Sequence, residues 1–170
     1  MLVVLSDTHR TDGPDLTDHL RETVAGADRV VHAGDVTTPA TLSALRAVGP
    51  RVDAVHGNAD APELQSRLPA QRTLTYGGVR IAVTHRADGG ATGLTMVGRE
   101  AGAALVISGH THRPTVVDED PVLLNPGSHA DPRGNRPGYA RLSPEDGGLA
   151  GELREPDGTL VETFRVEGEE

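Results

Sequence analysis

Short apolar runs alternate with helical patterns in the first third of the chain, and this alternation restricts the possible folds more than any other feature. Between the first two runs, Asp12–Gly26 carries apolar residues at a spacing of four, which predicts an amphipathic helix. Between the second and third, Pro39–Val48 predicts another helix, with Thr37 or Thr38 as its cap. Strands joined by helices in this way pair in parallel, so the sequence predicts a β-α-β-α-β unit. The apolar runs, interpreted as strands, are MLVVLS, DRVVHAGD and RVDAVHGN.

The rest of the chain predicts mainly antiparallel strands. The stretch RTLTYGGVRIAVTH has the pattern of a hairpin that turns at Gly77 and Gly78. A helix is predicted over Thr92–Gly102, and AALVISG predicts a strand after it. Together the two halves predict an α/β fold of two sheets packed face to face with helices outside, in a single domain of residues 1–170. The remaining predicted strands are Thr115–Val117, Val122–Leu124, Tyr139–Leu142, Leu149–Leu153 and Leu160–Val166.

Charge and composition argue against several classes of function. Asp and Glu number 25 against 16 Lys and Arg, so the net charge of −9 disfavours general binding of nucleic-acid phosphates. The two Tyr and one Phe, without Trp, also offer few rings on which bases could stack. Cys is absent, which excludes disulfides and thiolate metal ligands. The first apolar run is too short for a signal peptide or a membrane span, so we expect a cytoplasmic protein without membrane association.

Polar side chains follow five of the predicted strands at the point where each strand ends. Because the carboxyl ends of strands in an open α/β sheet border one crevice, we expect these side chains to meet. Each of them alone has an ordinary explanation as a turn residue or a helix cap. Turn chemistry does not explain a set that includes four histidines. In strand order, the residues are Asp7 and His9, Asp35, Asn58, His85, and finally His110 and His112 in the segment ISGHTHRP.

These seven nitrogen and oxygen donors predict a site for two metal ions. They are too many for one tetrahedral zinc, and they suit two ions that share a carboxylate, for which Asp35 is the expected bridge. Without thiolates, the donors favour borderline divalent metals: manganese foremost, with Ni, Fe, Co or Zn as alternatives. Two such ions would lower the pKa of a water between them, so that hydroxide exists near neutrality. Since the histidines must be neutral to bind, we expect metal and activity to be lost below about pH 6.

The order of these motifs resembles that of the calcineurin-like metallophosphoesterase superfamily. The motifs are D-x-H, GD, GN-x-D, H and GHTH, and the chain from VVLSDTHR through NPGSHADPRG is similar to the small YfcE-like phosphodiesterase branch over most of 1–142. The resemblance implies a four-layer α/β/β/α sandwich of two mixed sheets flanked by helices. It also implies hydrolysis of a small phosphodiester by a dinuclear metal centre. By position, it implies that Asp7, His9, Asp35 and His112 hold the first ion, and that Asp35, Asn58, His85 and His110 hold the second.

Further roles are expected for residues near these motifs. Asn58, besides ligating, is expected to donate its amide to a phosphoryl oxygen, and Asp60 to orient a ligand histidine. His129 and Arg133 are candidate substrate contacts at the rim of the cleft. Many superfamily members carry His where this chain has Ala59, so we expect modest turnover, best on activated aryl phosphodiesters whose leaving group needs no proton donor.

The sequence leaves other functions open. A non-catalytic scaffold is one alternative, as in the related retromer subunit, although the complete donor set favours hydrolysis. A phosphomonoesterase or a nucleotide-specific enzyme is another, and homo-oligomer formation also stays open. Among the other histidines, His32 and His56 are expected to pack in the core or beside the site, and His19 is expected at the surface.

Overall fold

The structure is a computed structural model that describes residues 1–168, and it has an α/β fold with two mixed sheets and four helices. None of the helices within residues 1–168 is long and apolar enough to cross a membrane. The strands are β1 (Leu2–Leu5), β2 (Arg29–His32), β3 (Val52–Ala54), β4 (Gln71–Tyr76), β5 (Val79–Thr84), β6 (Leu105–Ile107), β7 (Pro114–Val117), β8 (Val122–Pro126), β9 (Tyr139–Glu145), β10 (Gly148–Arg154) and β11 (Leu160–Glu167). The helices are α1 (Asp18–Ala25), α2 (Pro39–Val48), α3 (Pro62–Arg67) and α4 (Ala91–Ala101).

Each sheet combines parallel and antiparallel pairs. The first sheet has the order β11-β10-β9-β1-β2-β3, in which β1, β2 and β3 pair in parallel as predicted and the later strands are antiparallel. The second sheet has the order β4-β5-β6-β8-β7. Its centre, β5-β6-β8, is parallel, and an antiparallel strand closes each edge. The predicted hairpin through Gly77 and Gly78 is confirmed as the β4–β5 pair.

Burial along β1 shows how the layers stack. Leu2 and Val4 point into the core between the two sheets, whereas Val3 and Leu5 pack against the opposite layer with the α1 residue Leu20. This alternation is the period of two that a strand covered on both faces requires. A further cluster packs α4 against the outer face of the second sheet. The four-layer α/β/β/α sandwich is therefore confirmed.

Two helices differ from the sequence prediction. Helix α1 begins at Asp18 instead of Asp12, because Gly13 and Pro14 interrupt the helical pattern and Thr17 provides the cap. The Thr17 hydroxyl accepts a hydrogen bond from the amide of Leu20 at 3.2 Å and donates one to a carbonyl distant in sequence. The short helix α3 was not predicted. The prediction for α2 is confirmed, with Thr38 as its cap.

Candidate metal centre

The structure brings all seven predicted donor residues together at the carboxyl ends of strands from both sheets. Their polar atoms form one continuous series of short separations, each between 3.0 and 3.8 Å. Asp7, Asp35, His85 and His112 are buried and His9 is half-buried, whereas Asn58 and His110 are exposed at one end of the series. In order of contact, the series runs His112, Asp7, His9, Asp35, His85, Asn58 and His110.

The carboxylate of Asp7 divides its two oxygens between the protein and the centre. Oδ2 accepts hydrogen bonds from the hydroxyl of Ser6 at 2.6 Å and from the amide of His110 at 2.9 Å. Oδ1 is buried and has no hydrogen-bond partner within residues 1–168. It lies 3.3 Å from Nε2 of His112 and 3.8 Å from Nε2 of His9. This oxygen is therefore free to bind a cation.

Asp35 repeats the same division. Its Oδ1 accepts a hydrogen bond from the amide of Ala59 at 2.8 Å. Its Oδ2 lies 3.2 Å from Nε2 of His9 and 3.1 Å from Nε2 of His85. The same carboxylate oxygen therefore faces imidazole nitrogens that follow strands of different sheets.

Hydrogen bonds orient two of the histidines. Nδ1 of His85 lies 2.8 Å from the carbonyl oxygen of Ala33, and Nδ1 of His112 contacts the carbonyl oxygen of Asp131. A carbonyl only accepts, so these contacts place the ring proton on Nδ1 and leave the Nε2 lone pair for a metal ion. Two groups have donor atoms within 4.8 Å of one another: Asp7, His9 and His112, and Asp7, Asp35 and His85.

The backbone is strained at most of these residues. Five donor residues have a backbone φ between 44° and 73°, in the left-handed region that residues other than glycine rarely adopt. Such conformations cost about 1–3 kcal/mol each and persist where the surrounding structure dictates them. The surrounding fold therefore maintains strained backbone conformations that direct these side chains towards one another. The five are Asp7, His9, Asp35, His110 and His112.

Two glycines let the donor loops approach one another. A Cβ on Gly57 would lie 2.1 Å from Oδ1 of Asp35, and a Cβ on Gly109 would lie 2.0 Å from the hydroxyl oxygen of Ser6. Neither glycine needs a positive φ, so the requirement is space and not backbone freedom. The glycines of the GN and GH motifs are thus part of the site.

Asp60 supports the site in a way that the sequence did not predict. It was expected to orient a ligand histidine, but its carboxylate accepts hydrogen bonds from backbone amides instead. These amides belong to Asp35 at 3.0 Å, Thr37 at 2.6 Å and Gly57 at 2.7 Å. Asp60 is only 3% exposed. It therefore fixes the loop after β2 to the loop after β3.

Sequence reasoning missed the loop that supports His112. The hydroxyl of Ser128 donates to the carbonyl of Asp7 at 2.6 Å and accepts from the amide of Asp131 at 2.8 Å. Asp131 in turn provides the carbonyl that contacts His112, and its carboxylate lies 3.1 Å from Nε of Arg133. The motif NPGSHADPRG indicated a turn here. Nothing local in it indicated contact with Asp7.

The two rim candidates have different positions. Arg133 is exposed, so its guanidinium is accessible to a ligand. His129 is 8% exposed; its Nε2 bonds to the carbonyl of Pro14 at 2.7 Å, and its Nδ1 is buried without a partner within residues 1–168. The expectation that His129 reaches the rim is therefore not met, because its ring packs under the loop before α1.

The remaining histidines lie outside the donor series. His32 is fully buried and bonds to the hydroxyl of Thr8 at 2.8 Å and to the amide of Gly34 at 3.2 Å, as expected for a core residue. Burial lowers the pKa of His32 to about 3. His56 is half-buried and lines a cavity beside Asn58. His19 is exposed, as predicted.

The electrostatics of the centre favour a cation. Burial alone would raise the pKa of Asp7 and Asp35, but the neighbouring polar groups, His9 and Ser6 beside Asp7 and His85 and His9 beside Asp35, lower both pKa values overall. Contact with Asp35, and then with Asp7, raises the pKa of His9 to about 9. The pair of carboxylates thus stabilises positive charge between them. A divalent cation with nitrogen and oxygen ligands fits this need.

Comparison with known proteins agrees with this geometry. Residues 1–147 match the Calcineurin-like phosphoesterase superfamily domain. The chain belongs to this superfamily. A probable metallophosphoesterase from Methanothermobacter thermautotrophicus is 38% identical over 141 residues, which cover 78% of this chain and 79% of that protein. The resemblance carried by the five motifs is therefore confirmed.

Several solved structures have a fold similar to that of nearly the whole chain. A conserved uncharacterized protein of Streptococcus pneumoniae, described as a predicted phosphoesterase, has a TM-score of 0.73 at 26% identity and covers 96% of each chain. Vps29 of Chaetomium thermophilum has a TM-score of 0.81 at 18% identity, covering 99% of this chain and 97% of its own. The likeness to Vps29 shows the fold alone. Superfamily members bind divalent metal ions, and the buried, unpartnered Oδ1 of Asp7 and Nε2 of His9 fit such a group.

Proposed function

We propose that the protein is a metal-dependent phosphoesterase that hydrolyses small phosphodiesters. The observation that carries this proposal is the pair of buried carboxylate oxygens, Oδ1 of Asp7 and Oδ2 of Asp35, that face imidazole nitrogens. Oδ1 of Asp7 has no hydrogen-bond partner within residues 1–168, and Oδ2 of Asp35 has only imidazole neighbours. A buried carboxylate oxygen without a partner is costly, and a bound cation removes that cost. The complete donor set favours hydrolysis over a role in protein binding only.

The donor residues would divide between two ions, with manganese the foremost candidate. When bound, the ions lower the pKa of a water between them and offset charge on the phosphoryl group. Asp35 would be shared. The first ion would take Asp7, His9, Asp35 and His112, and the second would take Asp35, Asn58, His85 and His110.

Asn58 would also contact the substrate directly. Its Oδ1 lies 3.1 Å from Nε2 of His85 and 3.0 Å from Nδ1 of His110. Its Nδ2 has no hydrogen-bond partner within residues 1–168, and the side chain is exposed. The amide is therefore free to donate to a phosphoryl oxygen.

Two cavities beside the donors favour a diester over a monoester. One, of about 250 Å³, opens at His110; the other, of about 380 Å³, opens at Asn58 and His85. Arg86 lines both. A diester has two organic groups to place on either side of phosphorus, and a monoester has one.

The position after Asn58 offers no proton donor. Ala59 contributes only its amide, which bonds to Asp35. A leaving group with a low pKa needs no protonation, so activated aryl diesters are the expected substrates.

Metal analysis coupled to a substrate panel tests the proposal. The purified protein is assayed with added manganese on p-nitrophenyl phosphate and bis(p-nitrophenyl) phosphate, together with Asp35→Asn, His85→Ala and the exposed control His19→Ala. We expect faster cleavage of the diester, at least 100-fold loss in the two site variants and an unchanged control. Site variants that cleave at the rate of the unmodified protein refute the proposal. Absence of both metal and cleavage would favour a scaffold role.

A further inference from the structure

The cavity at His110 has apolar walls. It lies between the first turn of α4 and the edge of the second sheet formed by β7 and β8. Leu94, Val117 and Leu123 contribute hydrocarbon surface to it. Among its polar residues, Asn125 already bonds through its side chain to the carbonyl of Gly109 at 2.8 Å and to the hydroxyl of Thr111 at 3.0 Å. The hydroxyl of Thr115 bonds to the carbonyl of Arg113 at 3.2 Å, which leaves Ser108 as the remaining hydroxyl of the wall. A polar ligand would find few partners there.

Arg86 stands between this cavity and the second one. Its side chain is exposed, and its guanidinium has no ion pair or hydrogen bond within residues 1–168. Ten of the sixteen arginines pair with an acid within residues 1–168, and Arg86 is not among them. An unpaired guanidinium beside a metal centre is suited to an anionic oxygen.

We propose that the cavity at His110 binds an aryl group carried by the phosphorus of the substrate, while Arg86 binds a phosphoryl oxygen. The inference rests on the proposed function and names its substrate class. Three features support it: His110 belongs both to the cavity wall and to the donor series, the walls are apolar, and the volume of about 250 Å³ exceeds the roughly 150 Å³ of a cavity known to hold benzene. A sugar would bring hydroxyl groups that these walls leave unpaired.

Two small anions that differ only in the organic group test the cavity. Binding of phenylphosphonate and of methylphosphonate to the manganese-loaded protein is measured by calorimetry. We expect phenylphosphonate to bind about tenfold tighter or more, because the ring leaves water for apolar walls. Ala91→Phe fills the mouth of the cavity and should bring the two affinities together. Thr92→Phe, at the neighbouring exposed position outside the cavity, should leave the difference unchanged.

Arg86→Gln separates the two parts of the proposal. It should weaken both phosphonates at least fivefold and alike, while their ratio stays the same. Equal affinities in the unmodified protein, a ratio that survives Ala91→Phe, or phosphonate affinities that Arg86→Gln leaves unchanged would overturn the inference. Hydrolysis of bis(p-nitrophenyl) phosphate is followed in parallel. Cleavage without a ring preference refutes only the cavity, whereas a ring preference abolished by Ala91→Phe without any cleavage refutes only the proposed function.

Discussion

Replacement of Asp60 tests whether the site depends on a buried carboxylate that touches no metal donor atom. The carboxylate accepts three backbone amides, from Asp35, Thr37 and Gly57, at 2.6–3.0 Å. Asp60→Ala leaves all three donors without an acceptor. Each unpaired buried donor costs about 1–3 kcal/mol, so we expect a loss of about 3–6 kcal/mol after partial relaxation of the loops. That is a large part of the 5–15 kcal/mol that typically stabilises a domain.

The assay is urea unfolding in the presence of a chelator, so that bound metal does not contribute to the free energy of unfolding. Asp60→Asn keeps one acceptor oxygen but directs an amide group at the backbone, and it should lose about half as much. Asp118→Ala replaces an exposed carboxylate and should not change the midpoint.

Metal affinity provides the second readout. Asp60 fixes the backbone of Asp35, the expected bridge, so manganese should bind at least tenfold more weakly to Asp60→Asn under conditions where the variant is fully folded. If Asp60→Ala unfolds at the same urea concentration as the unmodified protein, the assignment of Asp60 as the link between the two loops is wrong. Unchanged manganese affinity would show that the link between the two loops is not needed for metal binding.

Three other predictions concern stability and space. The pKa of His32 is about 6.5 in the unfolded chain and about 3 in the folded protein. The contribution of neutral His32 to the free energy of unfolding is therefore complete above pH 6.5 and is lost as the pH falls towards 3, by up to about 5 kcal/mol. His32→Gln should reduce the pH dependence of unfolding over this range, and an unaltered dependence would contradict the assignment. Gly57→Ala should weaken manganese binding at least tenfold by displacing a carboxylate, whereas Gly26→Ala, where the added atom meets ordinary contacts, should not; equal affinities in calorimetry would refute the close approach. Ile107→Ala, between the sheets, and Leu20→Ala, between sheet and helix, should each lose about 2–5 kcal/mol in urea, but only Ile107→Ala should also weaken manganese binding to the folded protein.

The layers and the donors were predictable because both leave a local signal. Apolar runs of strand length marked β1, β2 and β6, and Gly77-Gly78 marked the hairpin. The donors were predictable because each follows the carboxyl end of a strand. An open α/β sheet forms a crevice there regardless of the conformation of the connecting loops. Residue type then indicated the chemistry, since a sheet edge needs turns but does not need four histidines.

The supporting contacts were not predictable because they depend on groups far apart in the chain. Asp60 bonds to amides 23 and 25 residues away as well as to one nearby, so the sequence identified the residue but not its partners. Ser128 contacts Asp7 across 121 residues. His129 follows it in sequence, yet its ring contacts the carbonyl of Pro14, 115 residues away. The start of α1 shifted because Thr17 caps the helix.

The centre lies where the two sheets meet, and this explains how its strain is maintained. Asp7 and Asp35 follow strands of the first sheet, whereas His85 and His110 follow strands of the second. Five donors adopt costly left-handed conformations, which no local preference of Asp or His would hold together. The large apolar core between the sheets fixes the distance between the two sets of strand ends. The apolar core that stabilises the sandwich therefore also holds the carboxylate oxygens of the site opposite the imidazole nitrogens. For this reason metal binding should depend more on packing between the two sheets than on packing under the outer helices.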